Sequence, residues 1–321
     1  MLAWRASARP YPTLRRGIPE KSLKNAPAAA DKDDTEGSNS LALPSQPTER
    51  PPHRRPFPFS DFVPGYARRM PLAIVREVPH SFADCLTTGA VAPDPGLARR
   101  QHLEYRARLE AGGFEVIVLP GDDAHPDSPF IEDTAVVFQD RALATRPGHP
   151  SRRGEVGPVA AALRRWCRVE WMREPATLDG GDVLRLGRRV FVGRSARTNA
   201  AGIAALERFA RSAGYEVVPV RVLDGLHLKS GATGLDDDTV LIAPGAVDPS
   251  GFAGLRVVEA AGSDPHRANV VRLADGTLLV AAAHAEVAVQ LAELGRRVAV
   301  CDVSEFAAAD GGLTCLSIRV R

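Results

Sequence analysis

Asp182-Val183-Leu184-Arg185-Leu186-Gly187-Arg188-Arg189-Val190-Phe191-Val192 is the pattern of a β-hairpin. Apolar residues recur along both arms, and Gly187 begins the polar turn between them. A helix is predicted next, over residues 197–213, and another strand over residues 215–220. A hairpin followed by a helix and a strand therefore forms one structural module.

This module recurs along the chain, and recurrence at such a period indicates repeats packed side by side. Further copies are predicted over residues 134–172, 229–258 and 269–300, the middle one with the weakest pattern. The first module, residues 72–119, has one strand too few, and residues 313–320 can supply it. The sequence thus predicts an α/β fold, a five-bladed α/β propeller whose last strand closes the ring.

Composition restricts the classes of function. The 321 residues are 44% hydrophobic, enough for a sizeable core, and 41 Lys and Arg against 39 Asp and Glu give a net charge of +2. That balance provides no field for nucleic acid or an anionic membrane, and no run of 18 apolar residues predicts a membrane span. Four widely spaced cysteines argue against a disulfide framework or a structural zinc site and favour the cytoplasm. The expected partner is a small molecule.

Residues 1–69 differ in composition from the rest. They hold 11 of the 26 prolines and little apolar periodicity, so a disordered extension is predicted there, followed by a catalytic domain over residues 70–321. The basic start of this segment leaves an organelle presequence as the alternative.

Chemically useful residues come just before the predicted hairpins. Asp179, His227 and Cys315 each stand at such a position, so a ring would bring them to one mouth. A thiol, an imidazole and a carboxylate match the logic of a nucleophile, its base and the group that orients the base. The alternatives are a buried hydrophobic cysteine, a core histidine and an aspartate that forms a turn.

The remaining candidates favour a ligand charged at both ends. Asp127, Glu132 and Asp133 surround Phe130, a combination that suits a planar cation. Arg152 and Arg197 are both expected where a helix begins, against the helix dipole, and two guanidinium groups can hold a carboxylate. Arginine derivatives have this shape, and a thiolate can attack their guanidinium carbon.

These residues lie in motifs that resemble the dimethylarginine dimethylaminohydrolases, over about residues 70–321. The motifs are Phe130-Ile131-Glu132-Asp133, Arg146-Pro147-Gly148, Ser151-Arg152-Arg153-Gly154-Glu155, Leu178-Asp179-Gly180-Gly181-Asp182, Gly193-Arg194-Ser195-Ala196-Arg197-Thr198-Asn199, Leu226-His227-Leu228-Lys229 and Asp310-Gly311-Gly312-Leu313-Thr314-Cys315. The resemblance implies the pentein fold and cofactor-free hydrolysis of asymmetric dimethylarginine and monomethylarginine to citrulline plus dimethylamine or methylamine.

The same resemblance implies a role for each matching residue. Cys315 would be the nucleophile, His227 the general acid and base, and Asp179, where some members carry Glu, the support for that histidine. The substrate-binding residues would be Asp133 for the guanidinium with Asp127, Phe130 and Glu132 close by, Arg152 and Arg197 for the α-carboxylate, and the backbones of Leu86 and Ala309 for the α-amino end.

Three alternatives remain at this point. An arginine deiminase would share the fold and release ammonia from arginine, and a non-catalytic propeller would bind a partner through its rim. In the third, Cys315 and His227 would be zinc ligands, but no third soft ligand has suitable spacing, so zinc is expected at most as an inhibitor. A homodimer is compatible with the sequence, which does not distinguish it from a monomer.

Overall fold

The strands follow one another in groups of three. The computed structural model describes residues 70–320. Its strands are β1 (Leu72–Arg76), β2 (Glu115–Leu119), β3 (Ala135–Phe138), β4 (Arg141–Ala144), β5 (Arg168–Trp171), β6 (Val183–Leu186), β7 (Arg189–Arg194), β8 (Glu216–Arg221), β9 (Ala232–Gly234), β10 (Thr239–Ile242), β11 (Arg256–Glu259), β12 (Val271–Arg272), β13 (Leu278–Ala281), β14 (Val298–Cys301) and β15 (Ile318–Val320).

The helices lie between these strands. They are α1 (Pro95–Ala111), α2 (Val156–Leu163), α3 (Ala200–Ser212), α4 (Leu228–Gly231), α5 (Ala285–Glu293) and α6 (Ser304–Ala308). Asp94 begins α1 because its side chain accepts hydrogen bonds from the amides of Gly96 and Leu97. Asn199 caps α3 in the same way, so this helix starts three residues later than the sequence predicts. None of the helices within residues 70–320 is both long and apolar enough to cross a bilayer.

Within residues 70–320 the strands form five three-stranded sheets, in the orders β15-β1-β2, β3-β4-β5, β6-β7-β8, β9-β10-β11 and β12-β13-β14. In every sheet the middle strand is antiparallel to its hairpin partner and parallel to the third strand. The parallel connection runs through α1, α2, α3 or α5, and through the 3-10 turn Pro249–Phe252 in the fourth sheet. The repeated module is confirmed.

The closing strand is confirmed as well. β15 pairs with β1 in antiparallel register, with Ile318 opposite Ile74. Residues from β3, β6, β9, β12 and β15 line a central channel of about 280 Å³, so these are the inner strands of a ring. Aromatic contacts join neighbouring blades: Phe138 on β3 stacks on Phe209 of α3, with ring centroids 5.6 Å apart. The fold is the predicted five-bladed α/β propeller. The extension predicted over residues 1–69 lies outside the described residues.

Candidate active site

Four short helical turns precede inner strands and carry the predicted chemical residues. Ile131–Thr134 leads into β3, Gly180–Asp182 into β6, α4 into β9 and Leu313–Leu316 into β15. Asp179 and His227 are the N-cap residues of the second and third turns, and Cys315 lies within the fourth. Equivalent positions in the blades therefore place these groups at the same end of the ring.

One cavity joins most of the predicted residues. It encloses about 30 Å³ and is lined by Leu86, Asp127, Phe130, Asp133, Arg152, Arg197, Leu226, His227, Ala309, Asp310, Gly311 and Cys315. The central channel is larger, but it contains neither Cys315 nor His227, so the chemistry assigns the site to the smaller cavity. Two predicted residues lie outside its lining, Asp179 behind the imidazole of His227 and Glu132 on the side of the channel.

His227 is buried and paired with Asp179. The distance from its Nε2 to Asp179 Oδ2 is 2.9 Å, and the other oxygen of Asp179 accepts the Gly148 amide at 2.8 Å. Burial alone would lower the pKa of His227, but the charge of Asp133, the hydrogen bond to Asp179 and the charge of Asp182 outweigh it and raise the pKa to about 9. The ring is therefore protonated at neutral pH, and its Nε2 donates to Asp179.

Gly181 lets the second and third blades approach this histidine. Its amide donates to Asp133 Oδ1 at 2.8 Å. A β-carbon at this position would lie 2.7 Å from His227 Nδ1 and 2.8 Å from Asp133 Oδ1. The absence of a side chain thus allows a close approach of three segments, a requirement that turn chemistry alone does not reveal.

Asp133 is fixed by an arginine. Arg152 donates to Asp133 Oδ2 at 2.5 Å, to the Phe130 carbonyl at 2.9 Å and through Nε to Glu155 at 3.0 Å. Burial raises the pKa of Asp133, but the charges of His227 and Arg152 with the Arg152 and Gly181 hydrogen bonds lower it to about 2. Asp133 is thus a carboxylate on the cavity wall, and most donors of Arg152 are already engaged.

Arg197 has a free donor by contrast. Its Nη1 is buried, lies 3.8 Å from Asp179 Oδ2 and makes no hydrogen bond to any residue in the range 70–320. Neither arginine begins an α-helix as the sequence suggested. Arg152 lies inside the 3-10 turn Pro150–Glu155, and Arg197 lies two residues before the α3 cap.

A loop of the first blade covers the cavity. The Leu86 amide donates to both oxygens of Asp127, at 3.1 and 3.3 Å. Thr88 donates through its amide to Asp310 at 2.6 Å and through its hydroxyl at 3.0 Å. These bonds bring the Leu86 and Ala309 segments together, as the sequence motifs required.

Glu132 lies between the cavity and the central channel. Its Oε1 accepts from Lys229 Nζ at 2.6 Å and from Arg319 at 3.2 Å. Burial raises the pKa of Glu132, although the two cations oppose this. Its side chain therefore borders the site from behind.

Cys315 is half-buried beside these carboxylates. Burial raises the pKa of its thiol to about 12, and the charges of Glu132 and Asp133 act in the same direction. In the absence of a bound cation, the thiol is therefore neutral at physiological pH.

Sequence reasoning missed Asn269 and Lys229. The Asn269 carboxamide donates to the Lys229 carbonyl at 2.8 Å and to Thr314 Oγ1 at 3.0 Å, and it accepts the Thr314 amide at 3.1 Å. It thereby connects the turn of Cys315 to the turn of His227. Its position just before β12, equivalent to the other site positions, was the available signal.

One group of potential metal ligands occurs among the described residues: Asp133, Asp179 and His227, whose ligand atoms lie within 4.8 Å of one another. Their oxygens and Nε2 already pair with one another, with Arg152 and with backbone amides. This arrangement is that of a hydrogen-bonded acid–base pair, and cofactor-free chemistry stays a prediction.

Comparison with known proteins places this geometry in a family. No family model matches the chain. The N(G),N(G)-dimethylarginine dimethylaminohydrolase of Streptomyces coelicolor is 44% identical over 255 residues, which cover 78% of this chain and 96% of that protein. The chain belongs to the dimethylarginine dimethylaminohydrolase family.

Two further members support this membership. The enzyme of the same name from Pseudomonas aeruginosa is 32% identical over 249 residues, covering 77% of this chain and 98% of the relative. A solved structure of a Pseudomonas aeruginosa family member, complexed with citrulline, matches with a TM-score of 0.73 at 30% identity, over 78% of this chain and 99% of that one. The family expected from the motifs is confirmed, and so is the fold.

Proposed function

We propose that this protein hydrolyses asymmetric dimethylarginine and monomethylarginine to citrulline plus dimethylamine or methylamine. The observation that carries the proposal is one cavity lined by a cysteine, an imidazole 2.9 Å from a supporting carboxylate, and the acids Asp127 and Asp133. A nucleophile, a proton donor and a receptor for a cation are the parts this reaction needs. Membership of a family of hydrolases with that name supports the same substrate class.

Electrostatics explain how a neutral thiol becomes a nucleophile. Cys315 is held as a thiol by burial and by the charges of Glu132 and Asp133. A guanidinium cation bound at Asp133 offsets those charges, so its arrival lowers the pKa of the thiol. Activation is thereby coupled to binding of the cationic substrate.

The reaction then proceeds in two halves. The Cys315 sulfur adds to the guanidinium carbon, protonated His227 gives its proton to the departing methylated amine, and a covalent thiouronium remains on the sulfur. Water, deprotonated by the now neutral His227, adds to the same carbon. The C–S bond breaks, citrulline forms and the thiol is restored.

Arg197 is the better candidate for the substrate's α-carboxylate. Its Nη1 is buried and has no hydrogen-bond partner among residues 70–320. Arg152 contributes mainly by holding Asp133, since three of its donor contacts already go to Asp133, Phe130 and Glu155. The loop at Leu86 and the segment at Ala309 provide backbone groups for the α-amino end.

The test is a product assay on both substrate types. Incubation with asymmetric dimethylarginine should give citrulline and dimethylamine in equal amounts, and Cys315→Ser should abolish turnover. Faster release of ammonia from unmethylated arginine would identify a deiminase instead. Full turnover by Cys315→Ser would exclude the cysteine mechanism.

A further inference from the structure

A fully buried carboxylate outside the cavity connects three segments of the site. Asp182 has no exposed surface. Its Oδ2 accepts from the hydroxyls of Ser195 at 2.5 Å and Thr198 at 2.6 Å, and its Oδ1 accepts the Leu228 amide at 2.9 Å.

Each of these donors is coupled to a different residue of the site. Leu228 directly follows His227 in the chain. The Thr198 hydroxyl also accepts the Asp179 amide, at 3.4 Å, and the Ser195 hydroxyl accepts the Arg197 amide, at 3.1 Å. The imidazole, its supporting carboxylate and the free arginine are therefore attached to one anchor.

The backbone of β7 leaves room for this anchor. A β-carbon on Gly193 would lie 2.4 Å from Asp182 Oδ1 and 2.9 Å from the Leu228 side chain. No ion pair with Lys or Arg involves Asp182 within residues 70–320, so neutral donors alone receive its charge. A buried carboxylate without a cation is costly, and such groups are retained where a unique arrangement is required.

We infer that Asp182 is a positioning residue, which holds the backbones of His227, Asp179 and Arg197 in one arrangement and contributes negative charge beside the imidazole. This inference rests on the proposed function for its catalytic readout. The charged groups that face His227 are Asp133, Asp179 and Asp182, and Arg197 lies beyond Asp179. Loss of any one carboxylate removes part of what keeps the ring protonated.

The main test is Asp182→Asn, which keeps the side-chain shape and removes the charge. Its amide can donate to the Ser195 and Thr198 hydroxyls, which then turn their own protons elsewhere. We expect kcat to fall at least about 10-fold and the NMR titration of His227, recorded without substrate, to move to lower pH. The control is Asp236→Asn, which removes a carboxylate bound to Arg296 and the Asp238 amide at the central channel and should leave both readouts unchanged.

Single deletions separate the two arms of the anchor. Thr198→Val removes the acceptor of the Asp179 amide and should lower kcat, whereas Ser195→Ala removes the acceptor of the Arg197 amide and should raise KM. A merely structural role would lower the melting temperature of both variants without this split.

The outcomes are decisive in each case. A folded Asp182→Asn protein with His227 titrating at the wild-type pH and kcat within about twofold would overturn the inference. If that variant does not fold, equal kcat and KM effects in the two single deletions would overturn it. If the wild-type protein does not hydrolyse methylarginines, the proposed function fails, while the histidine titration still tests Asp182.

Discussion

Cys315 and His227 hold their protons for opposite electrostatic reasons. The thiol keeps its proton because burial and the charges of Glu132 and Asp133 disfavour a thiolate. The imidazole keeps its proton because Asp133, Asp179 and Asp182 favour a cation. The same acidic surroundings thus suppress the free nucleophile and prepare the acid.

Alkylation of Cys315 tests this account. Glu132→Gln removes a charge that raises the thiol pKa, so alkylation by iodoacetamide at pH 8 should accelerate at least about threefold. Lys229→Met removes a charge that lowers it, so alkylation should slow. Rates are measured by intact-protein mass spectrometry beside a thermal melt, because breaking this buried pair also destabilises the fold. Equal rates in both variants would contradict the electrostatic explanation.

The Asp179 carboxylate has a predicted effect on the pH profile. His227 must be protonated to act as an acid, so kcat should fall as pH rises through about 9. Asp179→Asn removes a contribution that raises this pKa, and the alkaline limb should move to lower pH with at least about a 10-fold loss of kcat. Asp179→Glu retains the charge and should restore much of the activity. An unshifted limb in the Asn variant would exclude the pairing as the cause.

At the scale of single elements, the turn Gly180–Asp182 determines how closely the second and third blades meet. Gly181→Ala would place a methyl group 2.7 Å from His227 Nδ1. We expect a loss of about 1–3 kcal/mol in the free energy of unfolding and a lower kcat, because overpacking displaces the ring. Chemical denaturation and steady-state kinetics measure the two effects.

Gly157 provides the matched control for that substitution. It lies in α2, and a β-carbon added there would meet no neighbouring segment within 4 Å. Gly157→Ala should therefore stabilise the protein by roughly 0.4–1 kcal/mol without changing kcat. Wild-type kcat in Gly181→Ala would show that the histidine tolerates displacement.

The elements were largely predictable because their signals are local. The hairpin over residues 182–192 alternates with period two, and its helix shows a 3.6-residue pattern. The helix start was wrong because the predicted start overlooked Asn199, whose side chain ends the preceding loop. The convergence of Cys315, His227 and Asp179 followed from their equivalent positions in the modules.

The supporting contacts were not predictable in the same way. Arg319 and Glu132 are separated by 187 positions in the chain, and Asn269 and Thr314 by 45. Their pairing depends on how blades pack around the channel, which no local pattern encodes. For the same reason Asp182 was interpreted only as a turn residue, since its partners come from the segments before α3 and β9.

At the scale of the whole molecule, ring closure should control stability. Ile318 on β15 is buried against the first blade, opposite Ile74. Ile318→Asp should destabilise the protein by more than about 3 kcal/mol, because it buries an unpaired charge at the closure. Val300→Asp on β14, where the side chain is 40% exposed, is the control and should have little effect. Equal melting temperatures in calorimetry would contradict a dominant role for the closure.

The site depends on the number of blades as much as on its residues. Sulfur, imidazole and carboxylates stand on turns that belong to separate blades, each just ahead of an inner strand. A ring that gained or lost one repeat would change its radius and the angle between neighbouring turns. Every reactive side chain would survive such an event unchanged, yet the reacting atoms would no longer meet, so blade count itself is under chemical selection.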